Sequence, residues 1–157
     1  MIFNRNQFNQ EINSFHRKYS DKWNLLTGDN QFLKDSCLYL KMTSSYNQFI
    51  IDSYIVLSDS YQVPVLYFLP MIQTEQSIRL AKLDELKDLL TADPGSIALA
   101  ENPINGLVMF HVHPCLTSKF MEEVLNSVSS INNSKISLIE SWLSFCPLIP
   151  INKSIKS

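Results

Sequence analysis

The chain has 157 residues with a formal net charge of -2, and 45% of its residues are hydrophobic. This length predicts a single domain over residues 1–157, and the composition excludes a disordered chain. The sequence has no block of lysine or arginine for nucleic acid, and its 3 glycines are too dispersed for a phosphate-binding loop. We therefore expect a globular protein that acts on a protein or small-molecule partner without a nucleotide.

Targeting signals and cysteine spacing indicate the compartment. The N-terminus lacks a basic start followed by an apolar segment, and no apolar run is long enough to span a membrane. We expect a cytoplasmic protein. Cys37, Cys115 and Cys146 are widely separated, which argues against both a disulfide framework and a structural zinc site.

The first half of the chain predicts one helix followed by strands. Apolar residues at helical spacing predict an amphipathic helix over residues 4–20. A turn is expected at residues 27–30. Three runs of β-branched and aromatic residues, 37–42, 49–57 and 63–71, predict strands whose short links favour an antiparallel meander.

The second half predicts mainly helices. Leucines separated by charged residues predict a short helix over residues 80–90, and an apolar run at 107–110 predicts a fourth strand. Two further helices are expected, one from Thr117 to about residue 131 and one over 136–145, with Pro147 and Pro150 ending the second. The resulting plan is α+β, an antiparallel four-stranded sheet with one face covered by helices.

The segment that points to chemistry is His111-Val112-His113-Pro114-Cys115, between the fourth strand and the next helix. Pro114 restricts the backbone directly before the thiol, and a helix starting near Thr117 directs its N–H groups toward this turn. Both effects orient Cys115 and favour its thiolate, so Cys115 is the candidate nucleophile. The general alternative is that Cys115 is a small buried hydrophobic residue.

The histidines allow two other interpretations. His111 and His113 would share one face of a strand, so they could ligate a metal or supply a base to a cysteine hydrolase. No further carboxylate or thiol ligand lies close to them in sequence, which argues against a metal. His16, on the polar side of the first helix, is expected to be a solvated surface residue.

His113-Pro114-Cys115 resembles the active-site motif of the autophagy E2-like conjugating enzymes. Residues 101–106 and 116–121 are similar to the smaller of the two enzymes in that family, as are residues 139–144 and 54–67. The resemblance covers roughly residues 50–70 and 100–145. It implies an E2-like, ubiquitin-conjugating fold with Cys115 as the catalytic residue and no metal, nucleotide or other cofactor on this chain.

The resemblance also implies partners. Cys115 would accept the C-terminal glycine of a ubiquitin-like modifier, autophagy protein twelve, from a non-canonical activating enzyme. It would then pass the modifier to a lysine of the acceptor, autophagy protein five. The alternative function is a catalytically inactive E2-like interaction module that docks a partner through an exposed strand.

The motif around Cys115 differs from that of ordinary ubiquitin-conjugating enzymes in its oxyanion donor. Those enzymes carry a His-Pro-Asn triplet several residues before the cysteine, whose amide can donate to the oxyanion. Here His-Pro directly precedes Cys115, so the donor must come from elsewhere. Asn102, Asn105 and Tyr54 lie in the matching segments, and we favour Asn102; His113 is expected to support the turn.

Overall fold

An antiparallel sheet and four helices make up residues 3–31, 35–91, 96–131 and 137–155, the part of the chain that the computed structural model describes. This arrangement confirms the predicted α+β class. In chain order the elements are α1 (Arg5–Tyr19), β1 (Asn24–Asp29), β2 (Ser36–Tyr46), β3 (Phe49–Ser58), β4 (Val63–Gln73), β5 (Ile78–Leu80), a 3₁₀ helix (Leu83–Asp88), β6 (Ile97–Glu101), β7 (Val108–Val112), α2 (Pro114–Ile131), α3 (Leu138–Ser144) and α4 (Ile149–Ser154).

The strand order determines where the His-Pro-Cys segment lies. The strands are ordered β1-β2-β3-β4-β7-β6, with β5 paired to β4, so β1 to β4 form the predicted meander. The chain then returns to place β7 beside β4, where His111 lies opposite Tyr67 and Phe110 opposite Phe68. Residues 113–115 therefore leave the sheet from a strand that is paired on both sides, between β4 and β6.

One face of the sheet is covered by helices, as predicted. The amphipathic pattern of α1 buries Phe8, Ile12, Phe15 and Tyr19, and an Asn4–Gln7 capping box satisfies the first turn of this helix. These side chains join one hydrophobic cluster with inward-facing strand residues and with the helical residues Met121, Ile139, Leu143 and Ile151. Burial of this face stabilises the domain.

A second, smaller cluster lies elsewhere on the sheet. Tyr54, Val56 and Met109 are buried there, with Tyr39, Tyr67, Leu69 and Ile104 packed against them. The β6–β7 connection approaches this cluster closely: a Cβ on Gly28 would lie 2.9 Å from the Tyr39 ring and 3.3 Å from Ile104. The Gln31 N–H also donates to the Pro103 carbonyl at 2.6 Å. The connection therefore packs back onto the sheet instead of extending into solvent.

The prediction of four strands was wrong, because the described residues form a sheet of seven. The missed strands β1, β5 and β6 are short and carry few buried residues, so they lack the alternation that marks a half-buried strand. Residues 27–29, expected to be a turn, belong to β1, where Gly28 pairs with Cys37. Residues 43–45, expected to be a link, continue β2 up to Tyr46.

Some helix boundaries also differ from the predictions. Leucines spaced three apart within residues 80–90 match the period of a 3₁₀ helix, and Leu83–Asp88 forms one. The helix expected at 136–145 is observed as Leu138–Ser144, and Ile136 lies outside the described residues. Pro150 does not end a helix but lies in the first turn of α4, where proline is tolerated.

Across the described ranges, no helix combines the length and the apolar character needed to cross a membrane.

Candidate active site

The three cysteines differ in exposure. Cys115 is exposed, whereas Cys37 and Cys146 retain only 4% and 5% of their accessible surface. Burial raises the pKa of the Cys37 thiol, and it raises the pKa of the Cys146 thiol to about 12. Because the thiolate is the reactive form, Cys115 is the thiol best placed to act as a nucleophile.

Helix α2 begins earlier than predicted, and this places Cys115 in its first turn. The helix starts at Pro114 and not near Thr117, so Cys115 is its second residue and does not lie on a preceding turn. Proline is common at the first helical position because it lacks the N–H that would have no partner there. The backbone N–H of Cys115 donates to Nδ1 of His113 at 3.1 Å.

His113 therefore caps α2 at the position where the nucleophile lies. Side chains that accept from the first free N–H groups are what stabilise a helix start. An accepting Nδ1 carries no proton, so this bond requires the imidazole to hold its proton on Nε2. Since Nδ1 is occupied by the Cys115 N–H, that nitrogen is not available as a base in this arrangement.

Aromatic rings surround the capping histidine. The Tyr61 ring meets the His113 ring edge-on, with 5.7 Å between centroids and an angle of 81°. His111 lies 6.0 Å from His113 and stacks on Tyr67 at 5.7 Å. The His113 imidazole thus has two aromatic neighbours, Tyr61 of the β3–β4 turn and His111 of β7.

His111 is a buried, neutral member of this group. It is 8% exposed, and its Nδ1 has no hydrogen-bond partner among the described residues. Burial lowers the pKa of His111. Across the described ranges, no group of three or more His, Cys, Asp and Glu side chains could hold a metal ion.

Asn102, the favoured oxyanion donor, lies in the tight β6–β7 connection. It is fully buried, its carboxamide oxygen accepts from Ile104 N–H at 2.9 Å, and its Nδ2 donates to the Met109 sulfur at 3.3 Å. The Nδ2 of Asn105 approaches the same sulfur at 3.6 Å. Both amides thus have a thioether, a weak acceptor, as partner.

The described structure does not bring these amides into hydrogen-bonding contact with Cys115. The connection that holds them precedes β7, while Cys115 follows it, and the 5 residues of this strand correspond to about 17 Å of extended chain. The two side-chain hydrogen bonds described for Asn102 reach only Ile104 and Met109.

Tyr54 lies two strands away from β7. It is 8% exposed, its ring stacks on Tyr39 at 5.9 Å, and the Lys41 ammonium lies 5.3 Å from the ring centre. Tyr54 pairs across the sheet with Tyr67, which pairs with His111. Directly opposed residues share a face, so Tyr54, Tyr67 and His111 form a row. Through that row, but not by direct contact, Tyr54 is connected to the His-Pro-Cys segment.

His16 lies in the last turn of α1 and is half-buried, so it is less exposed than expected.

One contact at the candidate active site was not found from the sequence. The contact between Tyr61 and His113 was not predicted, because the two residues are far apart in sequence and no local periodicity relates them. The only sequence signal was that Tyr61 lies within residues 54–67, one of the segments that carried the resemblance.

Two comparisons relate this chain to known proteins. The model of the family described as "Autophagocytosis associated protein, active-site domain" matches residues 7–155. A curated relative, the "Ubiquitin-like-conjugating enzyme ATG10" of Homo sapiens, is 31% identical over 125 residues, which is 75% of this chain. The match spans 56% of the human protein, a little over half of its length.

The observed fold, an antiparallel sheet with helices, is consistent with the E2-like fold that the resemblance implied. The family match includes the meander, the His-Pro-Cys segment and the C-terminal helices. The chain therefore belongs to the family defined by the active-site domain of the autophagocytosis associated proteins.

Proposed function

We propose that this chain is an E2-like conjugating enzyme of autophagy, with Cys115 as the residue that carries the modifier. The observation that carries the proposal is the exposed thiol in the first turn of α2, directly after His113 and Pro114, in a chain whose other two cysteines are buried. Family membership supports the same assignment, since the matching model describes an active-site domain and the human relative is named a conjugating enzyme.

The proposed reaction has two acyl transfers. The Cys115 sulfur attacks the thioester that joins the modifier's C-terminal glycine to the activating enzyme; a new thioester forms on Cys115, and the activating enzyme's thiol is released. A lysine amine of the acceptor then attacks this thioester carbonyl. The isopeptide bond forms, a proton leaves the amine, and the Cys115 thiol is regenerated.

The chain's own residues have distinct roles in this proposal. The helix start at Pro114 places the positive end of the α2 dipole beside Cys115. His113 holds the first turn through its hydrogen bond to the Cys115 N–H. Two residues are proposed as candidate donors to the oxyanion. Tyr54 belongs to the row of side chains that reaches His111, whereas Asn102 is separated from Cys115 by the length of β7.

The partners are proposals that rest on the family. We propose autophagy protein twelve as the modifier, autophagy protein five as the acceptor and the non-canonical autophagy activating enzyme as the donor, all in the cytoplasm.

The decisive experiment traps the thioester. The chain is mixed with the modifier, the activating enzyme and ATP, and the products are separated with and without a reducing thiol. We expect a thiol-sensitive adduct that Cys115→Ser converts to a thiol-resistant ester, while Cys37→Ala and Cys146→Ala keep the adduct. A folded chain that forms no adduct would instead be an interaction module, and release of free modifier would indicate a cysteine hydrolase.

A further inference from the structure

The orientation of the His113 imidazole determines whether α2 is capped. Only Nδ1 of this ring accepts the Cys115 N–H, at 3.1 Å. Rotation of the ring about its last side-chain bond would present carbon in place of nitrogen, and such terminal torsions have broad energy wells. Neighbouring groups must therefore hold the ring, and Tyr61 contacts it edge-on from the β3–β4 turn.

Tyr61 is itself held by the turn over residues 58–62. Its N–H donates to the Ser58 hydroxyl at 3.2 Å, and the Gln62 N–H donates to the Ser58 carbonyl at 2.7 Å. Gln62 adopts a positive φ of 56°, a conformation that a non-glycine residue keeps only where surrounding contacts require it. The turn thus presents Tyr61 in one defined position although the side chain is 44% exposed.

The turn is also tied to the start of the chain. The Phe3 N–H donates to the Gln62 carbonyl at 2.9 Å, and Phe3 is 2% exposed. Two residues further on, Arg5 pairs with the Asp59 carboxylate at 3.3 Å. The segment that leads into α1 therefore anchors the turn at two of its residues, Asp59 and Gln62.

We propose that Tyr61 is a positioning residue for Cys115, acting through His113. Its ring keeps the imidazole in the orientation that caps α2, and the capped first turn holds Cys115 in place for acyl transfer. The inference deepens the proposed function, because it takes Cys115 as the nucleophile. It extends that function to a residue on a different part of the chain, anchored by the N-terminal segment.

The test uses the free, full-length chain, so it does not depend on the conjugation machinery. Nitrogen-15 NMR reports whether His113 Nδ1 is an acceptor, amide exchange reports the Cys115 hydrogen bond, and mass spectrometry measures the rate of Cys115 alkylation by iodoacetamide. Tyr61→Ala removes the ring, Tyr61→Phe keeps it, and Tyr46→Ala is a matched truncation of a half-buried tyrosine that packs elsewhere, near Lys153.

Tyr61→Ala is expected to lose the Nδ1 signature, to speed exchange of the Cys115 amide, and to slow Cys115 alkylation by about two- to fivefold, the size of one helix-end interaction. Tyr61→Phe should restore all three values, and Tyr46→Ala should not change them. Values for Tyr61→Ala equal to those of Tyr46→Ala would overturn the proposal.

Arg5→Gln provides a second variant, because it removes only a partly exposed ion pair and leaves the core intact. It should shift the His113 and Cys115 signals in the same direction as Tyr61→Ala but less. If Tyr61→Ala does not fold, unchanged signals in Arg5→Gln overturn the proposal, and shifted signals support it. Absence of a thioester in the trapping experiment with these NMR effects present would refute the proposed function alone.

Discussion

At the scale of single residues, the surroundings of each sulfur separate the three cysteines. Cys146 is enclosed by the core formed under α3 and α4, and Cys37 lies on β2 opposite Gly28. In both places burial raises the thiol pKa, so the reactive thiolate is disfavoured. Cys115 is exposed because the first turn of α2 follows directly from β7 at the edge of the core.

This contrast predicts how cysteine substitutions behave. Cys37→Ala and Cys146→Ala should each cost about 1 kcal/mol of the free energy of unfolding and leave thioester formation unchanged. Cys115→Ala should leave the free energy of unfolding nearly unchanged and abolish the adduct. The measurements are chemical denaturation and the trapping assay. Loss of the adduct from a folded Cys37→Ala or Cys146→Ala protein would contradict the assignment of Cys115 as the one required thiol.

The oxyanion donor gives a second prediction at this scale. If Asn102 stabilises the charge that develops when the acceptor lysine attacks, Asn102→Ala should lower the discharge rate by about 10²- to 10³-fold, while the thioester still forms. Tyr54→Phe tests the second candidate. The measurement is single-turnover discharge of the preloaded Cys115 thioester onto the acceptor.

Asn105→Ala tests the remaining candidate, because Asn105 shares both the β6–β7 connection and the Met109 sulfur. Damage to the connection by either asparagine variant should lower loading and melting temperature together with discharge, whereas loss of a donor should lower discharge alone. Unchanged discharge in both Asn102→Ala and Tyr54→Phe would show that neither residue is the donor.

At the scale of elements, α1 and α3 are joined by a polar contact at the rim of the core. The Tyr19 hydroxyl lies 2.6 Å from a Glu140 carboxylate oxygen, and the Lys18 ammonium lies 2.9 Å from the same oxygen. Burial raises the pKa of Glu140, but the hydrogen bonds from Tyr19 and Lys18 outweigh that effect and the net pKa is lowered. The ionised carboxylate therefore stabilises the folded chain.

The sign of this shift gives a pH dependence. A carboxyl whose pKa is lower in the folded state adds stability above its unfolded pKa, about 4.5, and loses it as the pH falls through the folded value. Glu140→Gln should cost about 0.5–1.5 kcal/mol at pH 7 and flatten the loss of stability below pH 4.5. Denaturation between pH 3 and pH 7 measures this, with the exposed Glu75→Gln as control. A wild-type slope in Glu140→Gln below pH 4.5 would contradict the assignment.

At the scale of the whole molecule, the sheet separates two environments. Helices cover one face, while the second cluster packs under the β6–β7 connection. The strand residues Leu26, Ile78 and Leu80 are exposed. Aromatic and apolar side chains on strands supply contact area for a protein partner at low entropic cost. We therefore expect the strands between Cys37 and Met71 to form a docking face for the acceptor. The tyrosines in this range are Tyr46, Tyr54, Tyr61 and Tyr67.

The structure narrows this prediction to fewer tyrosines. Tyr54 is buried by packing, whereas Tyr61 is 44% exposed. Adding unlabelled acceptor to the nitrogen-15 labelled chain should shift the amide signals of β2, β3 and β4 and of the turn at 58–62. Signals of α1 and α3 serve as internal controls. Shifts confined to the helices would place the docking site elsewhere.

The sequence by itself determined the features that depend on local patterns. The helical period of α1 identified Phe8, Ile12, Phe15 and Tyr19 as its buried face, and all four are buried. The apolar runs located β2, β3, β4 and β7, because strands buried in a sheet are rich in apolar residues. The triplet His113-Pro114-Cys115 and its surroundings identified the family, since a chemical motif is contiguous in the chain.

Only the tertiary structure decided the features that depend on distant pairing. The edge strands β1, β5 and β6 form because a neighbour supplies hydrogen bonds, and their own composition carries little signal. The helix start at Pro114 depends on a histidine ring that accepts the Cys115 N–H, and that ring is contacted by Tyr61 from another turn. Sequence periodicity indicates which side chains are buried, whereas the order and pairing of the strands determine which side chains contact each other.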